Sequence, residues 1–227
     1  MSPAKLEELA HFKEEMALFP PPNRPTDRHL HTLRWITRLS EKVKCQKPIL
    51  VGCGAVELFT DAQTATGDMD LITPDYSRLT SYLLQLGFQR SSDQRYCYHP
   101  SYSILFEFPS EGLRAGEQAI EIVIDGTSCL VISPEDLIVD RLEAFEAAGG
   151  GTDLVYAYLI YHIYFDHLDL KRLRSLVKRI DVLESFRFIK RLHEMSTISK
   201  LSVDEQGAKL TEECRRRRGL EWPTGLS

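Results

Sequence analysis

Two aspartates in Gly67-Asp68-Met69-Asp70-Leu71-Ile72 have the spacing best suited to chemistry. The run reads as a strand, and strand side chains alternate between faces. Asp68 and Asp70 therefore project to one face, with Met69 and Leu71 on the other. Two carboxylates one pleat apart repel each other. A divalent cation between them relieves that repulsion and supplies a Lewis acid. Alone, such a pair is a weak signal, common on exposed strands and turns. Upstream stands Ile49-Leu-Val-Gly-Cys-Gly-Ala55, read as a buried strand running into a glycine turn and a helix. Amides at a helix start attract anions, and glycine lets phosphates approach closely. The plainer alternative is a tight strand-to-helix turn. Together, the glycine turn can hold a triphosphate beside a metal on Asp68 and Asp70.

The composition bounds what such a site can serve. The chain has 227 residues, with 28 Lys and Arg against 33 Asp and Glu, a net charge of −5. That excludes whole-surface electrostatic binding of nucleic acid but allows a local basic patch. No apolar run approaches the ~18 residues of a membrane span. The start, Met1-Ser-Pro-Ala-Lys-Leu-Glu-Glu, lacks an apolar signal core, so the expected location is cytoplasmic. Five cysteines (Cys45, Cys53, Cys97, Cys129 and Cys214) show no C-x-x-C pair. They read as free thiols rather than disulfides or a structural zinc site.

The elements that must position these residues follow from periodicity. Residues 4–18 read as an amphipathic helix, stopped by Phe19-Pro-Pro-Pro-Asn-Arg-Pro25. A second helix runs from Thr26 or Asp27 to about Lys44. Strands are predicted at 48–52, 68–72, 103–108, 119–124 and 129–132, with helices at 54–59 and 78–86. Asp125-Gly126 suggests a tight hairpin. From Ser133 onward the pattern is helical, with breaks at Gly149-Gly150-Gly151 and segments near 152–165, 169–180, 182–194 and 203–217. The expected organisation is an N-terminal helix and Pro-rich link (1–25), an α/β domain (26–148) and a C-terminal helical region (149–227).

Val51-Gly-Cys-Gly-Ala-Val-Glu-Leu-Phe59 followed by Thr66-Gly-Asp-Met-Asp-Leu71 resembles the glycine motif and D-x-D of the nucleotidyltransferase superfamily. With Phe106-Glu-Phe-Pro-Ser-Glu-Gly-Leu113 and Ile132-Ser-Pro-Glu-Asp-Leu-Ile-Val-Asp-Arg-Leu142, the chain more closely resembles its AbiEii-like bacterial group, many of them toxins. The resemblance covers roughly residues 45 to 160. It implies a mixed sheet with flanking helices, an α/β (α+β) class, and a site transferring a nucleoside monophosphate from an NTP with Mg²⁺ or Mn²⁺. Asp68 and Asp70 would bind metal, and a third carboxylate would come from a neighbouring strand. Glu107 is the first candidate, lying mid-strand among Ile104, Leu105, Phe106 and Phe108, where an unpartnered carboxylate is costly. Glu107 on an exposed face, or paired with an arginine, is the alternative, and Glu121 on the next predicted strand competes with it. The resemblance gives Gly52, Cys53, Gly54, Thr66, Arg141 and Asp153 nucleotide-binding positions. Arg141 could equally form a helix-surface ion pair with Asp140 or Glu143. Where many members have Gly-Ser or Gly-Gly, this chain has Gly52-Cys53-Gly54, and a thiol is a poorer phosphate donor than a hydroxyl.

The expected function is metal-dependent nucleotidyl transfer to tRNA, protein or a small molecule, in a toxin-like setting that implies a cognate antitoxin. The alternatives are a nucleotidyltransferase-fold module that binds nucleotide or a partner without turnover, and a metal-dependent phosphohydrolase. Other features read as structure. The aromatic stretch 152–167 suggests a core face, and His162 and His167, five apart, do not make a zinc pair. Arg215-Arg-Arg-Arg218 reads as a solvated helix end.

Overall fold

The computed structural model describes residues 3–19, 25–60, 67–92, 95–148, 151–199, 205–206 and 209–210. The chain folds as two compact units, Met1–Ser133 and Pro134–Ser227.

The first unit is a mixed sheet with helices. Helices α1 (Pro3–Met16) and α2 (Pro25–Lys42) lead into β1 (Ile49–Val51), α3 (Gly52–Phe59), β2 (Met69–Ile72) and α4 (Tyr76–Gln85). Then come β3 (Gln89–Arg90), β4 (Tyr96–His99), β5 (Ile104–Glu107), β6 (Ala119–Ile124) and β7 (Thr127–Ile132). The strand order is β3-β4-β5-β2-β1-β7-β6. The β1–β7 and β2–β5 pairs are parallel, and the other neighbours are antiparallel. This is the mixed sheet with flanking helices that the motifs imply. Strands β3 and β4 were not expected, because Gln89-Arg90 and Tyr96–His99 are short and polar enough to read as loop.

Alternation divides the sheet into two chemically different faces. Leu50, Met69, Leu71, Phe106, Cys129 and Val131 are all buried on one face. There Trp35 of α2 stacks on Phe88, which stacks on Phe106. Leu33, Ile36 and Leu39 supply the buried stripe of α2. The other face carries the half-buried Asp68, Asp70, Leu105 and Leu130, and the exposed Tyr98, Glu121 and Val123.

Local signals explain the boundaries. Lys44 takes the left-handed conformation (φ 58°), and the Cys45 amide reaches back to the Ser40 carbonyl at 2.8 Å. That motif ends α2 at Lys42, short of the expected Lys44. Asp125 and Gly126 both have positive φ and join Ile124 to its pair Thr127. This is the expected two-residue hairpin. The segment 1–25, read as separate, contributes α1 to the first unit: the Trp35 indole donates to the Phe12 carbonyl at 2.9 Å, and Arg38 pairs with Glu15.

The second unit holds α5 (Pro134–Ala148), α6 (Gly151–Tyr164), a 3₁₀ turn (Phe165–His167), α7 (Leu170–Ile180) and α8 (Leu183–Ser199). Helix α5, which opens the helical pattern at Ser133, packs here on α6 and α7. Its buried Asp136 is held by Arg172 of α7 at 2.5 Å, and Glu135 accepts from the Asp169 amide at 2.7 Å. The Ser133-Pro134 boundary therefore opens a helical body with its own polar ties. Most of the expected 203–217 helix, and Arg215 to Arg218, lie outside the described residues. Among the described residues, no helix is long and apolar enough to cross a membrane.

The aromatic stretch of α6 is a core face, as its spacing predicts. Tyr158 and Tyr161 are each 1% exposed. His162 does not pair with His167. Its Nδ1 lies 2.9 Å from Nδ1 of His193 on α8, whose ring stacks on Phe165. One of these nitrogens must donate and the other accept, so the contact needs at least one neutral ring. Burial lowers both imidazoles below the ordinary value of 6.5, and each His193 proton is further disfavoured by His162. Glu194 and Asp166 oppose this for His193, less strongly than burial. With folded-state values depressed, protons bind the unfolded chain better. The stability these rings contribute is complete above about pH 6.5 and is lost as pH falls through the lower folded-state values. The urea midpoint should therefore fall between pH 7.5 and 5.5, and by less in a His162→Phe/His193→Phe double variant. An equal fall in both proteins would show that the pair does not control acid sensitivity.

Candidate functional site

The sheet register brings the acidic residues together. Asp70 lies opposite Val51 on β1 and opposite Glu107 on β5. Asp68 precedes β2 by one residue and falls on the same face as Asp70. Ligand oxygens of Asp68, Asp70 and Glu107 all lie within 4.8 Å of one another. Among the described residues this is the group of three acidic, histidine or cysteine side chains placed to hold an ion. An all-carboxylate donor set suits hard cations such as Mg²⁺ and Mn²⁺. The residues present therefore fit the metal that the sequence implies.

Glu121 is not part of this group. It is exposed on β6, at the far edge of the sheet, separated from β2 by β1 and β7. The chain between β5 and β6 crosses to the opposite edge, so the next strand in sequence is not the next strand in space. Glu107 is the carboxylate that the fold delivers.

Gly52 sits against one of these acids. Its φ is +57°, and a Cβ built on it would fall 2.0 Å from Oδ2 of Asp70 and 2.7 Å from Cγ. No side chain fits there, and the left-handed backbone favours glycine besides. The next amide, Cys53 N–H, donates to the same Oδ2 at 3.2 Å. Gly54 has a different reason. A Cβ there would meet Leu50 at 3.1 Å, so it allows α3 to lie close on β1. The two glycines thus seat Asp70 and pack the helix whose first turn faces it. Thr66 lies outside the described residues.

Glu107 is 6% exposed, with an arginine partner, as in the alternative weighed from the sequence, and a tyrosine partner that the sequence reading did not name. Arg95, just before β4, forms an ion pair with it. Tyr96, opposite Glu107 in register, hydrogen-bonds it. The carboxylate raises the Tyr96 hydroxyl above its ordinary value, first by charge and then by that hydrogen bond. Arg95 is raised by its own hydrogen bond to Glu107 and then by the charge of that carboxylate, with a smaller contribution from Asp70. The signal available was the alternation in Tyr-Cys-Tyr-His, which would have marked a strand.

Arg141 and Asp153 belong to the second unit and contact each other. Arg141 reaches Asp153 at 3.0 Å and Asp140 at 2.6 Å. Burial raises the Asp153 carboxyl above its ordinary value, while the Arg141 charge opposes this. The Asp140 contact is the helix-surface pair weighed as an alternative. The added bond to Asp153 ties α5 to α6.

No protein-family model and no curated protein sequence matches the chain. Among solved structures it is similar to an antigenic nucleotidyltransferase-like protein from Paracoccidioides brasiliensis, with TM-score 0.50 and 16% identity over 71% of this chain and 93% of that one. The chain has a nucleotidyltransferase-like fold. The antibiotic-resistance factor ANT(2'')-Ia is more distant, with TM-score 0.45 and 14% identity over 67% of this chain and 92% of that one.

The Gly52 contact makes a prediction for this nucleotidyltransferase-like sheet. Gly52→Ala must push the Asp70 carboxylate aside. Supporting contacts around metal ligands are worth about 10- to 100-fold in affinity. Mn²⁺ affinity, read by electron paramagnetic resonance of free Mn²⁺, should weaken at least about tenfold. An unchanged affinity in a folded variant would mean that Asp70's position does not matter to binding.

Proposed function

We propose that the protein is a metal-dependent nucleotidyltransferase that moves a nucleoside monophosphate from an NTP to an acceptor hydroxyl. The observation that carries this reading is the convergence of Asp68, Asp70 and Glu107 beside a strand-to-helix glycine turn. The nucleotidyltransferase-like fold supports it. Asp68, Asp70 and Glu107 would hold Mg²⁺ or Mn²⁺. When bound, such a cation supplies Lewis acidity at the transferred phosphoryl group and offsets charge on the leaving pyrophosphate.

The chain's own residues divide the remaining tasks. The first-turn amides of α3 have no intrahelical acceptors. Cys53 N–H is directed to Asp70, so it fixes the carboxylate rather than the phosphate. Gly54 and the residues after it would present the anion-binding end of the helix to the nucleotide. The Cys53 side chain would add little, as a weak donor. Arg141 and Asp153 are proposed as further nucleotide contacts on the resemblance alone. Thr66 is carried over on the same ground. The acceptor is proposed as an RNA such as tRNA, a protein hydroxyl or a small molecule. The AbiEii-like resemblance favours a toxin with a cognate antitoxin, acting in the cytoplasm.

A second reading, a binding module without turnover, is favoured by one observation. Glu107 is already neutralised by Arg95, as a carboxylate would be in a site that never takes a metal. Transfer of label from each α-³²P NTP, with Mg²⁺ or Mn²⁺ and total RNA and protein as acceptors, separates the two. Wild type should label one acceptor class, and EDTA should abolish the label. Asp68→Ala/Asp70→Ala should lose at least about a hundredfold, since the metal's charge stabilisation is worth several kcal/mol. Absence of label from all four NTPs with both metals would favour the binding module.

A further inference from the structure

We propose that Arg95 is a tethered cation of the carboxylate site, neutralising Glu107 while no metal is bound and released to the phosphates of the nucleotide once a divalent cation takes that carboxylate. The inference rests on the nucleotidyl-transfer reading and assigns a residue that the glycine and D-x-D motifs do not contain.

The asymmetry of the ion pair is the first argument. The Glu107 side chain is 8% exposed and fixed in a strand, whereas Arg95 is 56% exposed and lies just before one. The acid cannot leave its position cheaply, and the arginine can. Pairs with a solvated partner contribute little net energy, so exchanging one for a metal is not prevented by its strength.

The second argument is what remains when Arg95 moves. Tyr96 holds Glu107 by its own hydrogen bond, so the carboxylate keeps a fixed donor. The Arg95 guanidinium also lies 5.9 Å from the Tyr96 ring centroid, near enough for a cation–π contact to guide it. The third argument is charge. The trio is made of three carboxylates, and Asp70 contributes to the field at Arg95 beside Glu107. A guanidinium and a dication on one carboxylate repel at a distance where screening is incomplete. The guanidinium is in turn suited to phosphate, which it binds in a planar fork.

The signature is therefore two effects of opposite sign. Mn²⁺ binding to the nucleotide-free protein, followed by electron paramagnetic resonance, should tighten about fivefold in Arg95→Ala, the worth of a pair with one solvated partner. At saturating Mn²⁺, the same variant should bind an α,β-methylene nucleoside triphosphate more weakly than wild type, and Arg95→Lys should recover part of that loss. An Arg95→Ala protein whose Mn²⁺ affinity is unchanged or weaker overturns the proposal, as does unaltered binding of the triphosphate analogue. If Arg95 merely braces β4, its removal will lower the urea midpoint without tightening Mn²⁺ binding, which also overturns it. A different result overturns the underlying function instead: wild type that binds Mn²⁺ no better than Asp68→Ala/Asp70→Ala. In that case the carboxylates are not a metal site at all.

Discussion

Mutual repulsion among three carboxylates is the constraint around which this sheet is arranged. Their oxygens converge to within 4.8 Å from two adjacent strands, with Glu107 largely out of water. Nothing in an apolar sheet would hold like charges together without relief. The surroundings supply it from three directions: the Cys53 amide at Asp70, and the Arg95 guanidinium and Tyr96 hydroxyl at Glu107. They come from two parts of the chain, the first turn of α3 and the consecutive residues Arg95 and Tyr96 at the start of β4. The strand-to-helix turn, the central β1–β2–β5 ladder and the start of β4 are thus parts of one electrostatic arrangement.

The division of the sheet into faces makes this affordable in stability. Leu50, Leu71, Phe106 and Val131, all 0% exposed, sit on the face away from the acids. Burial of such side chains stabilises by roughly 1.5–3 kcal/mol each. One strand therefore carries core and chemistry at once: Met69 and Leu71 point to the packed side, Asp68 and Asp70 to the other. The two-residue period keeps the two functions from interfering, and a slip of one residue in β2 would exchange them.

What could be read from the sequence followed this locality. The D-x-D pair and its shared face follow from strand alternation, and the burial of Glu107 follows from its apolar neighbours. The helical nature of the second unit was visible in its spacing, and the Asp125-Gly126 hairpin in its residue types. Everything that depended on the path of the chain between distant strands was not. Glu107 and Glu121 look alike along the sequence, and only the crossover to the far edge separates them. Arg95 was hidden because β4 is four residues long and its partner on β5 comes after a turn. His193 was hidden likewise, since its partner His162 lies on another helix 31 positions away. The change to helical spacing at Ser133 was visible along the chain, whereas the packing of α5 on α6 and α7 was not.

The closeness of Gly52 to Asp70 has a consequence for altering this site. With a Cβ at position 52 falling 2.0 Å from Oδ2, there is a wall of backbone directly behind that carboxylate. Asp70 cannot be lengthened toward β1 to accommodate an ion of different radius. Asp68 stands outside the strand proper, and Glu107 has the longer side chain, so these two are the adjustable jaws of the trio. Any redesign of ion preference, and any natural divergence of it, has to proceed through them while Asp70 stays as the fixed point of reference.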